Sequence, residues 1–222
     1  MKYRHEYKYC INIGEYFEIR SRLKVLCRPD VHAGENGRYR VRSLYFDNRD
    51  DTVLREKIDG VRYREKFRIR YYNGDSSFIR LEKKSKRNDL CVKQSTILSA
   101  EQTNDLLQGK SRFQGDIDPL LAELSGKMII QGLRPKTIVD YDREAYICPL
   151  GNVRINFDTD ISTGLYSLDF LNPRSPVIRT EEQIIFEVKY DAFVPDYIRD
   201  AIQTGTQSRC AFSKYASARR FG

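Results

Sequence analysis

Polar and apolar residues alternate along most of this chain with the period of β-strands. The densest example runs from residue 62 to residue 84. Successive side chains of a strand point to opposite faces, so its first strand collects four basic residues on one face: Arg64, Lys66, Arg68 and Arg70. Residues 73–75 (NGD) then supply turn chemistry, and a second alternating run follows. The pattern predicts a hairpin with one cationic face.

The same alternation predicts strands at 2–9, 39–46, 90–97, 137–146, 153–158 and 184–190. Helical spacing or start signals predict helices at about 14–27, from 99, at 116–130 and at 195–203, with a turn or short helix at 49–58. Residues 162–179 are predicted to be mainly loop. Strands with one charged and one apolar face can close on themselves. We therefore predict an α+β fold, in which residues 1–222 form one closed eight-stranded antiparallel β-barrel with a charged lumen and flanking helices.

Composition narrows the function classes. The 222 residues are 40% hydrophobic and 32% charged, which is typical of a soluble globular protein. A net charge of +8 indicates an anionic partner. The five cysteines show no paired spacing, which predicts free thiols, no zinc site and a cytoplasmic location. No signal sequence or membrane span is expected, although a membrane-protein partner stays possible.

The charged strand faces hold far more basic than acidic residues. Their members are Arg4, Glu6, Lys8, Arg40, Arg42, Arg64, Lys66, Arg68, Arg70, Arg80, Glu82, Lys84, Lys93, Arg143, Arg154, Glu187 and Lys189. Arginine binds phosphate oxygens bidentately and lysine acts as a mobile point charge. A single carboxylate such as Glu187 can hold Mg²⁺ or Mn²⁺ that bridges phosphates. These faces predict binding of a triphosphate or a linear polyphosphate, with Arg42 and Lys189 among the substrate contacts.

Short motifs add a family resemblance. Residues 4–9 (RHEYKY), 43–47 (SLYFD), 67–72 (FRIRYY), 81–84 (LEKK), 141–143 (YDR), 187–190 (EVKY) and 213–215 (SKY) occur in order over nearly the whole chain. This set resembles the VTC domain, the polyphosphate polymerase branch of the CYTH or triphosphate tunnel superfamily. The superfamily commonly begins with Glu-x-Glu-x-Lys, and Arg4 replaces the first glutamate. The resemblance associates that change with the polymerase branch and with binding of a phosphate chain.

The resemblance implies a tunnel that binds nucleoside triphosphate and a divalent metal, Mn²⁺ or Mg²⁺, and transfers the γ-phosphate of ATP to polyphosphate or pyrophosphate. The expected catalytic residues are Arg68, Arg70, Lys84, Arg143 and Glu187, with Glu187 as the metal ligand. The expected substrate contacts are Lys8, Lys93, Tyr141, Arg154 and Lys214.

Two alternatives stay open at this point. A metal-dependent triphosphatase would use the same tunnel with water as the nucleophile. A non-catalytic module that binds polyphosphate or nucleotide would need the cations but not Glu187. Nucleic acid is not expected as a partner, because the cations and the apolar groups occupy opposite faces, whereas nucleic-acid binders place stacking aromatics beside their cations.

Overall fold

The computed structural model describes residues 3–34, 36–88, 90–113, 115–205 and 207–221. Within these residues the strands are β1 (Arg4–Ile11), β2 (Arg28–Pro29), β3 (Arg38–Asp47), β4 (Tyr63–Tyr72), β5 (Asp75–Arg87), β6 (Leu90–Leu98), β7 (Arg134–Cys148), β8 (Val153–Thr163), β9 (Ile178–Arg179), β10 (Ile184–Tyr190) and β11 (Ser208–Arg209). The α-helices are α1 (Ile13–Leu26), α2 (Thr52–Ile58), α3 (Ala100–Leu107), α4 (Pro119–Ile130), α5 (Asp196–Ile202) and α6 (Lys214–Ala218).

Eight antiparallel strands follow one another around a ring. Their order is β7-β3-β4-β5-β6-β1-β10-β8, and β8 pairs again with β7. The strands are uneven. β3 pairs with β7 along its whole length, whereas in the described part of the chain β1 pairs with β6 at two residues, Arg4 and His5. The predicted ring of eight antiparallel strands is therefore confirmed, but it is not a regular barrel.

Helices cover the apolar outer faces of the ring on two sides. On one side, α3 and α4 pack on the outward residues of β3, β4 and β5, including Leu44, Phe67 and Leu81. On the other side, the buried face of α1 packs against β8 and β10, with Tyr16 in edge contact with Phe157. Outward burial of the apolar faces leaves the opposite, charged faces directed into the ring. Among the described residues, no helix is both long and apolar enough to cross a membrane.

The cysteines differ from the sequence prediction. Cys27 and Cys148 form a disulfide across a sequence separation of 121, so the prediction of five free thiols is wrong at these two positions. The pairing of β2 with β7, with Arg28 opposite Ile147, brings the two cysteines together. Sequence spacing carries no sign of such a distant contact. The free cysteines are Cys10, Cys91 and Cys210.

Candidate functional site

The centre of the ring is built around the side chain of Tyr141. Arg70 Nη2 donates a hydrogen bond of 2.9 Å to the Tyr141 hydroxyl. The guanidinium carbons of Arg70 and Arg143 lie 5.8 Å and 5.2 Å from the centre of its ring, and the ammonium of Lys214 lies 4.6 Å away. Burial raises the pKa of Tyr141 to about 12 although Arg143 and Arg70 oppose it. The phenol is therefore neutral near pH 7 and does not balance the three cations.

Glu82 balances a second group of cations on neighbouring strands. Arg68 Nη2 lies 2.6 Å from Glu82 Oε2, Arg70 Nη1 lies 3.6 Å from the same oxygen, and Lys93 contacts the other oxygen. Burial alone would raise the pKa of Glu82, but these three cations hold it well below its ordinary value. Glu82 is thus a buried carboxylate that stays ionised, and its role is to separate cations that would otherwise repel.

Glu6 and Glu187 form a third group with the lysines of β1, β5 and β10. Lys84 Nζ lies 2.6 Å from Glu6, and Lys189 Nζ lies 2.7 Å from Glu187 and 3.9 Å from Glu6. Lys8 Nζ lies 3.4 Å from Glu6 and 3.7 Å from Glu187. Burial and Glu187 raise the pKa of Glu6, yet Lys84, Lys8 and Lys189 lower it to about 2. Both carboxylates are therefore anionic and share their lysines.

Asp158 was not among the predicted site residues. Its carboxylate accepts hydrogen bonds of 2.6 Å and 2.8 Å from Arg143 and one of 2.5 Å from Lys214. Burial raises its pKa, but Arg143 and Lys214 outweigh burial and bring it to about 2. The signal was present in the sequence, since Asp158 alternates in phase with Arg154. Asp158 anchors the C-terminal helix α6 to the interior of the ring.

Tyr45 and Lys66 form a further pair, of which the sequence placed Lys66 on a charged strand face and did not identify Tyr45. Arg68 Nη1 donates a hydrogen bond of 2.8 Å to the Tyr45 hydroxyl. The Lys66 ammonium lies 5.4 Å from the centre of the Tyr45 ring. Burial lowers the pKa of Lys66 to about 7, and Lys84 and Lys8 add to this. Burial opposes ionisation of Tyr45, but Arg68 and Lys66 bring its pKa to about 7. Both groups therefore titrate near neutral pH.

The structure brings most of the predicted site residues together on the inner face. They are Lys8, Arg68, Arg70, Lys84, Lys93, Tyr141, Arg143, Glu187, Lys189 and Lys214. Arg154 also faces inward but at one end of the ring, where it contacts Asp30 and the Tyr39 hydroxyl. Arg4 lies at the edge, 3.0 Å from Asp191. The expectation that Arg4 adds a cation for chain binding does not fit this position.

Arg42 is separated from this set, and its prediction as a substrate contact does not fit its position. It lies on the outer face of β3, only 4% exposed, and its Nη2 is 2.7 Å from Asp140. Leu44 and Phe46 have the same parity as Arg42 along β3, and both are buried under α3 and α4. This parity could have shown that Arg42 points outward, because residues i and i+2 of a strand share a face.

A cavity of about 400 Å³ opens into the ring beside Glu6 and Lys84. Its lining includes five further cations: Lys57, Arg64, Lys66, Lys86 and Arg209. Within the described part of the chain, none of these five forms an ion pair. The cations at the centre of the ring are balanced by carboxylates, whereas those at this opening are not. We call this opening the basic mouth.

The interior carboxylates offer a limited donor set for a metal. Among the described residues, no group of three or more His, Cys, Asp or Glu side chains could hold a metal ion. Glu187 and Glu6 share Lys8 and Lys189 and so lie in one cluster. Mg²⁺ is usually bound through one or two carboxylates together with substrate phosphates. The residues therefore fit a divalent ion whose remaining ligands come from a phosphate chain.

Solved structures with a similar fold cover most of the chain. An adenylate cyclase-like protein from Bacillus halodurans has a TM-score of 0.52 at 13% identity and covers 91% of this chain and 88% of its own. A protein from Pyrococcus horikoshii has a TM-score of 0.47 at 15% identity, with 96% of each chain covered. The mimivirus capping enzyme triphosphatase has a TM-score of 0.38 at 12% identity, with 90% of each chain covered. The first of these supports the fold alone.

A search of curated protein sequences finds no significant match. The family model of the VTC domain, however, matches residues 3–221. That range contains all the strands of the ring, the basic mouth and the C-terminal helix α6. The chain belongs to the VTC domain family.

Proposed function

We propose that this protein is a triphosphate-binding enzyme that transfers the γ-phosphate of ATP to a polyphosphate chain inside the ring. The observation that carries the proposal is the convergence of Arg70, Arg143 and Lys214 on the neutral Tyr141 side chain. Cations held this close in a buried site bind anions strongly, since little water screens them. Arginine forks match phosphate oxygens, so a triphosphate is the anion that we propose for this centre.

The interior carboxylates support an exchange of counter-ions when substrate binds. Glu82 and Asp158 neutralise the arginines of the centre in the absence of a phosphate chain. A bound phosphate would take over part of this role without a large rearrangement of the backbone. Such a site is preorganised, and preorganised charges stabilise the charge that develops during phosphoryl transfer. We assign this catalytic role to Arg68, Arg70, Lys84 and Arg143.

Glu187 is the residue that we propose as the metal ligand. Lys189, Lys8 and Arg143 hold its pKa well below the ordinary value against the effect of burial, so it is ionised at neutral pH. A divalent ion, Mn²⁺ or Mg²⁺, would supply charge neutralisation between phosphate oxygens. Lys8 and Lys189 would then be released from Glu187 and could contact the phosphate chain. Lys93, Tyr141, Arg154 and Lys214 complete the proposed substrate contacts.

The basic mouth favours a polymerase over a triphosphatase. A triphosphatase needs cations only where the triphosphate and the attacking water meet. Here Lys57, Arg64 and Lys86 line a further opening and have no carboxylate partners among the described residues. A phosphate chain longer than a triphosphate would extend from the centre into this opening. We therefore propose polyphosphate or pyrophosphate as the acceptor, and the cytoplasm, where ATP is available, as the location.

Product analysis tests this function. The protein is incubated with ATP, Mn²⁺ and a pyrophosphate primer, and the products are resolved on a gel that separates phosphate chains by length. Polymerase activity gives ADP and chains that lengthen with time. Formation of ADP and free phosphate alone would contradict the polymerase assignment and support the triphosphatase. Absence of turnover together with tight polyphosphate binding would instead support the non-catalytic module.

A further inference from the structure

The C-terminal segment, residues 207–213, occupies a gap in the ring. Among the described residues, β6 pairs with β1 at Arg4 and His5 alone, and the far end of that edge of β1 is left to another segment. β11 takes this edge, with Arg209 opposite Tyr9 and Ser208 opposite Cys10. The Cys210 amide also donates a hydrogen bond of 2.9 Å to the Lys8 carbonyl. The wall of the ring at this point therefore consists of a short segment with few backbone bonds, which open more easily than those of a long strand.

Two free cysteines meet where this segment joins β1. The sulfur atoms of Cys10 and Cys210 are 3.0 Å apart. A disulfide needs a sulfur separation of about 2.05 Å, so the two atoms have to approach by only about 1 Å. Cys10 pairs with Ser208, and the Cys210 amide bonds to the Lys8 carbonyl, so these backbone contacts hold the two cysteines as diagonal neighbours across the strand pair. Both cysteines are only partly buried, and Cys210 lines the basic mouth.

The remaining cysteines lie in different settings. Cys27 and Cys148 already form a disulfide beside the pairing of β2 with β7. Cys91 is free and lines the same mouth as Cys210. Among the described residues, however, Cys91 has no sulfur contact of the kind that links Cys10 and Cys210. Cys91 is therefore a matched control, because it samples the same solvent but has no partner thiol in contact.

We propose that Cys10 and Cys210 are a thiol–disulfide modification site that fastens the C-terminal segment to β1. Lys214 follows Cys210 by four residues and reaches Asp158 in the interior of the ring. The disulfide would therefore fix the segment that carries Lys214 into the site. This inference does not rest on the proposed function, because it concerns a covalent bond between two residues whose contact is given by the fold.

The oxidant that we name is a low-molecular-weight disulfide such as oxidised glutathione. Cys210 lines the mouth and is the thiol that such a molecule reaches first. Burial and the contact with Cys210 raise the pKa of Cys10 to about 12, which makes Cys10 the poorer initial nucleophile. Cys210 displaces one glutathione thiolate and forms a mixed disulfide. Cys10 then attacks the Cys210 sulfur and releases the second glutathione. The two protein thiols lose two electrons and two protons, and one glutathione disulfide becomes two thiols.

Thiol counting and peptide mapping test the bond. The full-length protein is treated with oxidised glutathione and denatured without a reductant. Its free thiols are then counted and its peptides are mapped by mass spectrometry. We expect the count to fall from the three free cysteines to one, with a linked Cys10–Cys210 peptide. Cys91→Ser should form the same link. A link between Cys91 and Cys210, a stable glutathione adduct on Cys210, or an unchanged count would each overturn the proposal.

Hydrogen exchange tests whether the disulfide holds residues 207–213 on β1. Amide exchange in residues 207–213 is compared between the oxidised and the reduced protein. We expect at least a tenfold slowing in the oxidised form, since the segment then opens only together with β1. Cys210→Ser treated with the same oxidant should exchange like the reduced protein. If the link forms but exchange in this segment stays the same, the disulfide does not fasten it. Neither readout uses ATP or polyphosphate, so failure here is independent of the proposed function.

Discussion

The substitution Glu82→Gln tests whether the interior of the ring is an anion-binding site or an ordinary buried core. Glu82 is 1% exposed and contacts Arg68, Arg70 and Lys93. The substitution keeps the size of the side chain but removes its charge. Three neighbouring cations then repel one another without a counter-ion. In an anion-binding site a phosphate chain can replace the missing charge, whereas in a closed structural core it cannot.

The structure sets the size of the effect. Removing one partner of a buried ion pair costs about 3–5 kcal/mol of the free energy of unfolding. In a chain of this length 1 kcal/mol corresponds to about 2–4 °C in the melting temperature, so the variant should melt about 6–20 °C lower. Tripolyphosphate at a hundred times its Kd should stabilise the wild type by about 2.7 kcal/mol. At the same tripolyphosphate concentration, the free energy of unfolding of Glu82→Gln should rise by more than this. The reason is that the bound anion no longer competes with a carboxylate for the three cations.

Glu144→Gln is the matched control. Glu144 is a buried carboxylate on the outer face, where it accepts hydrogen bonds from Tyr16, Tyr146 and Arg20. Its loss should also lower the melting temperature, but tripolyphosphate should stabilise this variant no more than the wild type. The assay is thermal unfolding followed by circular dichroism, with and without tripolyphosphate, in a chelating buffer. Equal gains for Glu82→Gln and Glu144→Gln would refute the reasoning.

Three further predictions test other parts of the site. Lys66→Met should flatten the decline in tripolyphosphate affinity that we expect between pH 6 and pH 8. The decline follows because Lys66 and Tyr45 each have a pKa of about 7, so the pair loses positive charge as the pH rises through neutrality; an unchanged titration curve would rule out the pair. Glu187→Gln should lose the turnover that depends on Mn²⁺ but keep tripolyphosphate affinity within about tenfold by calorimetry; full turnover of this variant in chelated buffer would exclude the metal role. Arg42→Met should lower the free energy of unfolding by about 3 kcal/mol, because Asp140 loses its buried partner and keeps the more exposed Arg40, whose Nη2 lies 3.6 Å away, while tripolyphosphate affinity stays within about twofold. A large loss of affinity would place Arg42 in the site after all.

The ring could be predicted from the sequence because its strands follow a simple rule. Side chains alternate between the two faces of a strand, and in β4 and β10 the residues of one face are alike enough in polarity to show which face is buried. Arg68, Arg70 and Glu187 were therefore assigned to the interior from their parity alone. On β3 the same rule groups Arg40 and Arg42 with Leu44 and Phe46, so it indicates an outward face for these arginines rather than the predicted interior one.

Other features depend on contacts that the sequence does not encode locally. The disulfide of Cys27 and Cys148 depends on the pairing of β2 with β7. The pKa of Tyr45 is lowered against the effect of burial by Arg68 and Lys66, which lie on another strand. A tyrosine within an apolar run gives no sign of such an environment. Long-range pairing and burial therefore mark the limit of prediction from a single sequence.

A crystal structure of the protein grown with tripolyphosphate tests the central claim most directly. We predict a phosphate chain inside the ring, beside the Tyr141 hydroxyl, with oxygens at about 3 Å from Arg68, Arg70 and Arg143. The Arg143 side chain should keep at least one hydrogen bond to Asp158, because its guanidinium group has donors for both anions. Tripolyphosphate bound only on the outer face, with the interior ion pairs unchanged, would contradict the account.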